Sequence, residues 1–512
     1  MRFLGVVLLG CALSLAFYEA WELDTRWFVV VVVAIAAVAV SMCLVRIFSD
    51  FLLVVSLFCM PLSSFSKWFW PGGYSVETRP DLISSGLVGL GPIDFILVGL
   101  YLSWFYRVVV SREQSPLRLN RLDFLILWFV VAYLLASIGS EDAVVSLSAT
   151  EFLVKHVLFY FYLSRNLEER HLPWMLAAFA FTIFLEAALG SYQFTTGRLI
   201  GIALDKGAGS STTLTAEYVI PGTEGYHRAT GTCYDSHILG HLLGIILAFP
   251  LVLFLTPRLR PVLRLGCMAA AGTAVLVILE SMSRSAWLGS AIAVTIGIVL
   301  IITVWQERQV VPALAIGVVL VAAGAPFIAS FVYARFANSP VGTLTLRLDQ
   351  YVVAWDVLTH YPLFGVGPGN WINVFPHYDF LSLAGNRNNN MVHNVILWLA
   401  TEVGIFGLTA YLGTVASAML RLFALARRRR DIAGRFALAA LIGLIITVLN
   451  GLAEPGFRSP DVFMMFWILV ALSVALPRLR PGAGEMLLAP ALPGPGLAVA
   501  ATAAGGRSGS DG

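Results

Sequence analysis

In the stretch "NNNMVHNVILWLATEVGIFG" an imidazole and an amide, His393 and Asn394, stand at the head of a long apolar run. At a helix N-terminus the positive end of the dipole, and any nearby arginines, favour the neutral ring. A neutral imidazole is what a general base needs near neutral pH. Three arginines lie in segments that could meet it. Arg284, in "ESMSRSAWLG", is flanked by Ser283 and Ser285 between two apolar runs. It reads either as a snorkelling boundary residue beside Trp287 or as an anion clamp at a helix start, whose free N–H groups favour phosphate. Arg228, in "YHRATGTCYDSHILGHLLG", is either a solvated loop residue or part of the same clamp. Arg347 opens an amphipathic stretch with Tyr351 one turn on and Trp355 two, so it belongs to an interfacial helix or faces a lipid-linked phosphate from one. Asp235 is followed by His237 and His241, which at i and i+4 share a helical face. That face could ligate a metal, but no third ligand of suitable spacing accompanies it, and polar lining of a cavity is the better reading. The run "FGVGPGN" has glycine spacing without a preceding strand or a lysine, and reads as a turn.

These residues need elements to hold them, and the composition limits what those can be. With 512 residues, 58% hydrophobic and 12% charged, and a mean hydropathy of +0.83, the chain is too apolar for a soluble protein with a polar shell. Apolar runs of about 17 to 25 residues recur without the alternation of a β-barrel, which predicts an all-α, polytopic membrane protein of about twelve to fourteen spans. We place them near 3–19, 27–45, 47–62, 92–110, 123–139, 151–165, 172–193, 234–256, 262–280, 285–304, 310–331, 393–419, 435–450 and 461–477. The first resembles a signal peptide, but lacks a small-residue cleavage site and reads as a retained span. The five cysteines form no ligand cluster; Cys59 and Cys233 could both lie toward the outer face, which leaves one disulfide open without a signal for it.

Basic juxtamembrane segments at 107–121, 257–264, 421–435 and 477–481 assign one side as cytoplasmic, and the spans between them agree on a single topology with both termini inside. Three long connections then lie outside, at about 63–91, 194–233 and 332–392, the last containing the amphipathic stretch, in which Leu346, Val353, Ala354 and Val357 share a face. Asp94, Glu186, Glu280, Arg284, His393 and Glu402 map to the outer half or rim, which suggests a site open to that face. A transporter would carry such groups at the midplane among broken helices. Residues 1–480 thus form one membrane domain, and 481–512, rich in Ala, Gly and Pro, a disordered cytoplasmic tail.

The string "HNVILWLATEVG" resembles the His-centred signature of the O-antigen ligase family, whose fold is shared with Wzy-type polysaccharide polymerases. The "SRSAW" turn, the "RATGTCYD" segment and the "RLDQYVVAW...YPLFGVGPGNW" loop are similar to that family in order and spacing, over about residues 220–420. The resemblance implies a metal-independent glycosyltransferase, membrane glycosyltransferase-C-like in fold and using no cofactor, in the bacterial inner membrane. It would transfer a glycan from an undecaprenyl diphosphate carrier to an acceptor sugar on lipid A core or on a lipid-linked repeat; nucleic acid has no part in it. His393 would be the base, Arg228, Arg284 and Arg347 would hold the diphosphate, and Asn394, Asp235 and Tyr351 would support them.

Overall fold

The computed structural model describes residues 45–63, 67–68, 89–112, 119–198, 227–233, 235–307, 343–381, 392–482 and 485–488, with six isolated positions between 311 and 335. Thirteen α-helices are described: α1 Val45–Phe58, α2 Pro92–Phe105 (extended by a π-turn, Tyr106–Val110), α3 Arg121–Ile138, α4 Ala143–Asn166, α5 Leu172–Thr196, α6 Ser236–Phe254, α7 Pro261–Glu280, α8 Arg284–Thr303, α9 Thr343–His360, α10 Trp371–Tyr378, α11 Val395–Arg428, α12 Ile432–Gly451 and α13 Pro460–Ala475. Short polar residues start many of them. Asn120, Asp142, Asp235, Ser283, Asn394 and Asp431 each accept a backbone N–H of the first turn, and proline stands in the first turn of α2, α7 and α13. The described strands are a two-residue antiparallel pair, Lys67–Trp68 with Gly89–Leu90.

Ten of these helices, some with a flanking turn, are long and apolar enough to cross a bilayer, and they coincide with ten of the expected spans. The chain is therefore an all-helical polytopic membrane protein. The expected spans 3–19 and 27–45, and nearly all of 310–331, lie outside the described residues. The expected span 47–62 is shorter than the sequence suggests: α1 ends at Phe58 and the chain turns through a 3-10 segment, Met60–Leu62, containing Pro61. The segments read as basic loops gather at one end of the bundle. There Arg107 donates to Asn166 (2.6 Å), Arg478 to the Ser164 carbonyl (2.7 Å) and Trp305 to the Ala426 carbonyl (2.7 Å), and Arg435 pairs with Glu307. Leu487 and Leu488 also pack here, against Leu259 and Arg260, so the bundle extends past 480, while the rest of the expected tail lies outside the described residues. Cys59, Cys233 and Cys267 are free thiols, and the pairing of Cys59 with Cys233 is not formed.

The spans divide into inner and outer sets. In α6, α12 and α13, 78, 83 and 89% of the apolar window is buried, against 28 to 33% in α2, α7 and α8, so the former are the core and the latter face lipid. Small residues let the core helices meet their neighbours. Gly240 and Gly244 of α6 sit against Ser281 and Ala286, and against Ser290, while Gly289 of α8 sits against Asn450 of α12.

One span departs from a simple helix in a way that matters for the site. Helix α11 is broken at Gly404, whose φ of 64° and ψ of −172° are open to glycine alone. The four backbone groups freed by the break are taken up by the loop after α9: Ile405 and Phe406 donate to the carbonyls of Pro362 and Leu363 (2.9 and 3.3 Å), and Val366 and Gly367 donate to those of Thr401 and Glu402 (2.9 and 3.0 Å). Irregular backbone at membrane depth survives only when paired in this way. The "FGVGPGN" run is thus more than a turn: it completes a broken helix, and Gly365, Gly367 and Gly369 all adopt positive φ to do so. Residues 405–428 alone give about 36 Å of helix, enough to cross a hydrocarbon core of about 30 Å. The piece before the break, 395–403, carries His393 and Asn394 at its head.

A side chain at Gly404 would collide with the Leu363 carbonyl as well as forcing the backbone. Gly404→Ala should cost at least about 2 kcal/mol, read as a lower melting midpoint in detergent. Gly266→Ala, where nothing lies within 4 Å of the added methyl, is the neutral control.

Candidate functional site

The N-terminal ends of α6 and α8, the C-terminal end of α12, the head of α11 and the N-terminal half of α9 converge on one carboxylate, Glu454, in the short connection between α12 and α13. Its side chain is 8% exposed. Oε2 lies 3.1 Å from His393 Nδ1, and Oε1 takes an ion pair from Arg347 and lies 3.6 Å from His237 Nδ1. Burial pushes this carboxyl up, but His237, the hydrogen bond from His393 and the Arg347 guanidinium outweigh it and hold the group below the usual carboxylate range. With Nδ1 of His393 donating to Glu454, Nε2 is left as the nitrogen able to accept a proton.

The backbone around His393 is fixed from two sides. Tyr351 OH donates to the His393 carbonyl (2.9 Å), burial raising the phenol above its ordinary value. Asn394 is the N-cap of α11: its Oδ1 accepts from Ile396 and Leu397 (2.9 and 3.2 Å), and its Nδ2 reaches the Leu452 carbonyl at the end of α12 (3.4 Å). The asparagine therefore caps α11 and ties it to α12. Asp235 does the matching task for α6, accepting from the His237 N–H at 2.6 Å. His237 and His241 part company: His237 turns to the site, whereas His241 is buried one turn below, 2% exposed, with no hydrogen-bond partner on either ring nitrogen. Among the described residues no three His, Cys, Asp or Glu side chains gather as metal ligands.

The arginines are arranged by the turn between α7 and α8. Met282 adopts a left-handed φ of 52°, and the carbonyls on that turn each hold an arginine: Ser281 accepts from Arg228 Nε (3.2 Å) and Met282 from Arg335 Nε (3.0 Å). Arg284 follows as the first residue of α8, behind its N-cap Ser283. Trp287 is not simply an interfacial anchor, since its indole N–H donates to the Ile278 carbonyl (2.7 Å) and fastens the same turn. Burial, and then the fields of Arg228 and Arg284, push Arg335 down to about 10, so both of those arginines act on the Arg335 guanidinium. Arg347 pairs with Glu454, whose charge is also felt by Arg335.

All seven residues singled out on the sequence fall in or beside this cluster. Two members were missed. Arg335, in "FVYARFANSP", has no flanking pattern to mark it, and Glu454, in "NGLAEPGF", sits after an apolar run like any loop carboxylate. The one signal available was a charge immediately outside a long span on the face where His393 was placed.

The all-helical polytopic bundle thus brings a histidine, a buried carboxylate and several arginines to one end. Residues 269–412 match the family model described as O-antigen ligase, so this part of the chain is similar to that family. No curated protein matches the chain. The match supports a membrane glycan-transfer role in O-antigen or polysaccharide assembly. It contains Arg284, Arg335, Arg347 and His393, while Arg228 and His237 precede it and Glu454 follows it.

The sign of the pH effect on Glu454 follows from linkage. A carboxyl held below its unfolded value stabilises the fold above about pH 4.3, and that stabilisation fades as acidification proceeds below it. The protein should therefore melt above the Glu454→Gln variant at neutral pH, and the gap should narrow progressively below about pH 4. A gap that persists unchanged to about pH 3, followed by tryptophan fluorescence in detergent, would count against the assigned ion pairing.

Proposed function

We propose that the protein is an O-antigen ligase of the bacterial inner membrane, transferring a glycan from an undecaprenyl diphosphate carrier to an acceptor sugar at the outer face. The observation that carries this reading is the pairing of His393 Nδ1 with Glu454, together with Arg228, Arg284 and Arg335. A carboxylate on Nδ1 fixes the ring so that Nε2 can take the acceptor hydroxyl's proton. Arg228, Arg284 and Arg335 hold the diphosphate, whose negative charge grows as the glycosidic bond breaks. Arg347, paired with Glu454, stands between base and donor, where it can share a phosphate oxygen and keep the carboxylate charged. Tyr351, Asn394 and Asp235 position the reacting groups and do not touch the substrate.

The diphosphate is already a good leaving group, so the reaction needs positioning, charge stabilisation and one base, with no metal or cofactor. The acceptor oxygen attacks the anomeric carbon opposite the departing phosphate, and the configuration inverts. Ligase and polymerase share this chemistry and differ in the acceptor.

The test is purified protein incubated with a polyprenyl diphosphate-linked glycan and either a lipid A core or a second lipid-linked repeat. Product on the core supports the ligase, whereas elongation of the lipid-linked glycan alone replaces it with the polymerase. His393→Ala should lower transfer at least about 100-fold in protein that still extracts as a folded species; unimpaired product from it would remove the base. Arg335→Ala should weaken donor binding, read as a raised KM for the donor at little cost to acceptor KM.

A further inference from the structure

The second oxygen of Glu454 faces a residue to which the reading above gives no task. His237 is the second residue of α6, and its two ring nitrogens look in different directions. Nδ1 lies 3.0 Å from Ser283 Oγ and 3.6 Å from Glu454 Oε1; Nε2 lies 3.2 Å from Arg228 Nη2. A guanidinium can only donate, so Nε2 accepts and the ring is neutral with its proton on Nδ1. The surroundings of Nδ1 agree, because the Glu454 carboxylate 3.6 Å away can only accept and Ser283 Oγ can accept as well. The charged groups around the ring come from every neighbouring element: Arg228 before α6, Asp235 at its cap, Glu454 after α12 and Arg347 on α9. Nε2 is thus the one site on this ring that looks along the arginine assigned to the donor.

We propose that His237 is the acid that protonates the departing diphosphate, an inference that rests on the transfer reaction given above. Donor phosphates compete for Arg228 and draw its Nη2 off the ring, so that Nε2 comes to face a phosphate oxygen. With Glu454 against Nδ1 and a doubly charged diphosphate against Nε2, the ring takes a proton from solvent and is held as the imidazolium. When the bond from the anomeric carbon to the phosphate oxygen breaks, its electron pair stays on that oxygen and the terminal phosphate gains a charge. Its second ionisation lies near pH 6, so a proton passed from His237 Nε2 lowers the charge on the leaving group as it forms. On the other side the acceptor oxygen bonds to the anomeric carbon and gives its proton to His393 Nε2. One proton is taken up at His237 before transfer and one is lost from His393 after it, so the cycle balances. Base and acid stand on the two oxygens of one carboxylate, and Glu454 orients both.

The test is the pH dependence of single-turnover transfer by the purified protein and His237→Gln, using a polyprenyl diphosphate-linked glycan and its acceptor. The unaltered protein should give a bell: an acid limb where His393 must be neutral and an alkaline limb where His237 must be charged. His237→Gln should be roughly 100-fold slower at neutral pH with donor KM little changed, should keep the acid limb and should lose the alkaline one. An alkaline limb retained in the variant overturns the proposal and leaves the transfer reading standing. No transfer by the unaltered protein with either acceptor overturns that reading itself. A proton inventory on the unaltered protein, in mixed light and heavy water, stands independently of how the variant folds: a curved dependence, two protons in flight, is expected, and a linear one overturns the role.

Discussion

Everything at this end of the bundle depends on a single buried anion. Glu454 is surrounded by protein, and an isolated carboxylate there would cost several kcal/mol. It is tolerated because three cationic or hydrogen-donating side chains reach it from three segments far apart in the chain: Arg347 from α9, His393 from the head of α11 and His237 from α6. The converse holds for those partners, for which the carboxylate is a shared point of attachment. Charge-assisted bonds of this kind are the strong ones, and their geometry is directional. The carboxylate therefore does two things at once: it fastens an external helix to the bundle, and it sets the tautomer of the imidazole beside it.

The same device recurs elsewhere in the bundle in weaker form. Glu186 of α5 accepts from the Thr232 N–H at 2.9 Å and also from its hydroxyl, Gln193 accepts from Thr230 and Gly231 (3.0 and 2.7 Å), and Glu402 accepts from Gly369 (2.9 Å). Glu280 takes the Ser191 hydroxyl at 2.7 Å, and Asp94 caps its own helix while 3.5 Å from Lys155. On the sequence these carboxylates pointed toward an open site. In the fold they are anchors, each gripping a loop or a neighbouring helix. Backbone donors near hydrocarbon cannot be left unpaired, so a loop folding back onto the bundle needs acceptors waiting on the spans. The loop bearing Arg228 is one such loop, held by Glu186 and Gln193 on one side and, through Ala229, by the Glu280 carbonyl on the other (3.1 Å).

What could be read in advance and what could not divides along a physical line. Spans declare themselves because burial in lipid demands a continuous apolar run, and α3 through α8 lie within a few residues of where that demand puts them, save the start of α4, eight residues earlier. Amphipathic α9 was legible for a similar reason: Val353, Ala354 and Val357 are buried on one face. That Leu348, Val352 and Trp355 would form an exposed apolar stripe on the other face was not, since periodicity alone cannot tell core from lipid. The break at Gly404 was hidden because a glycine inside an apolar run costs little to write and its backbone angles leave no mark on composition. Glu454 was hidden because a buried ion pair is a property of the meeting, and its members stand 61 and 107 residues apart from it along the chain.

The break in α11 bears on where His393 stands. Were α11 continuous, a residue at position 393 would stand well above the membrane on the axis of its own span, since the ten residues from 395 to 404 would add about 15 Å of rise. The non-helical backbone at Gly404 interrupts that rise. His393 stands where the Asn394 amide meets the end of α12 and the imidazole meets Glu454. The glycine-rich loop is what makes the break affordable, because it supplies partners for the four backbone groups that the kink exposes. That loop is also the continuation of α9, which bears Arg347 and Tyr351. One segment thus stabilises the break, while the helix ahead of it delivers the arginine and the tyrosine that hold His393. A change anywhere along 347–370 is therefore felt at His393 through two routes, the α9 side chains and the backbone of α11.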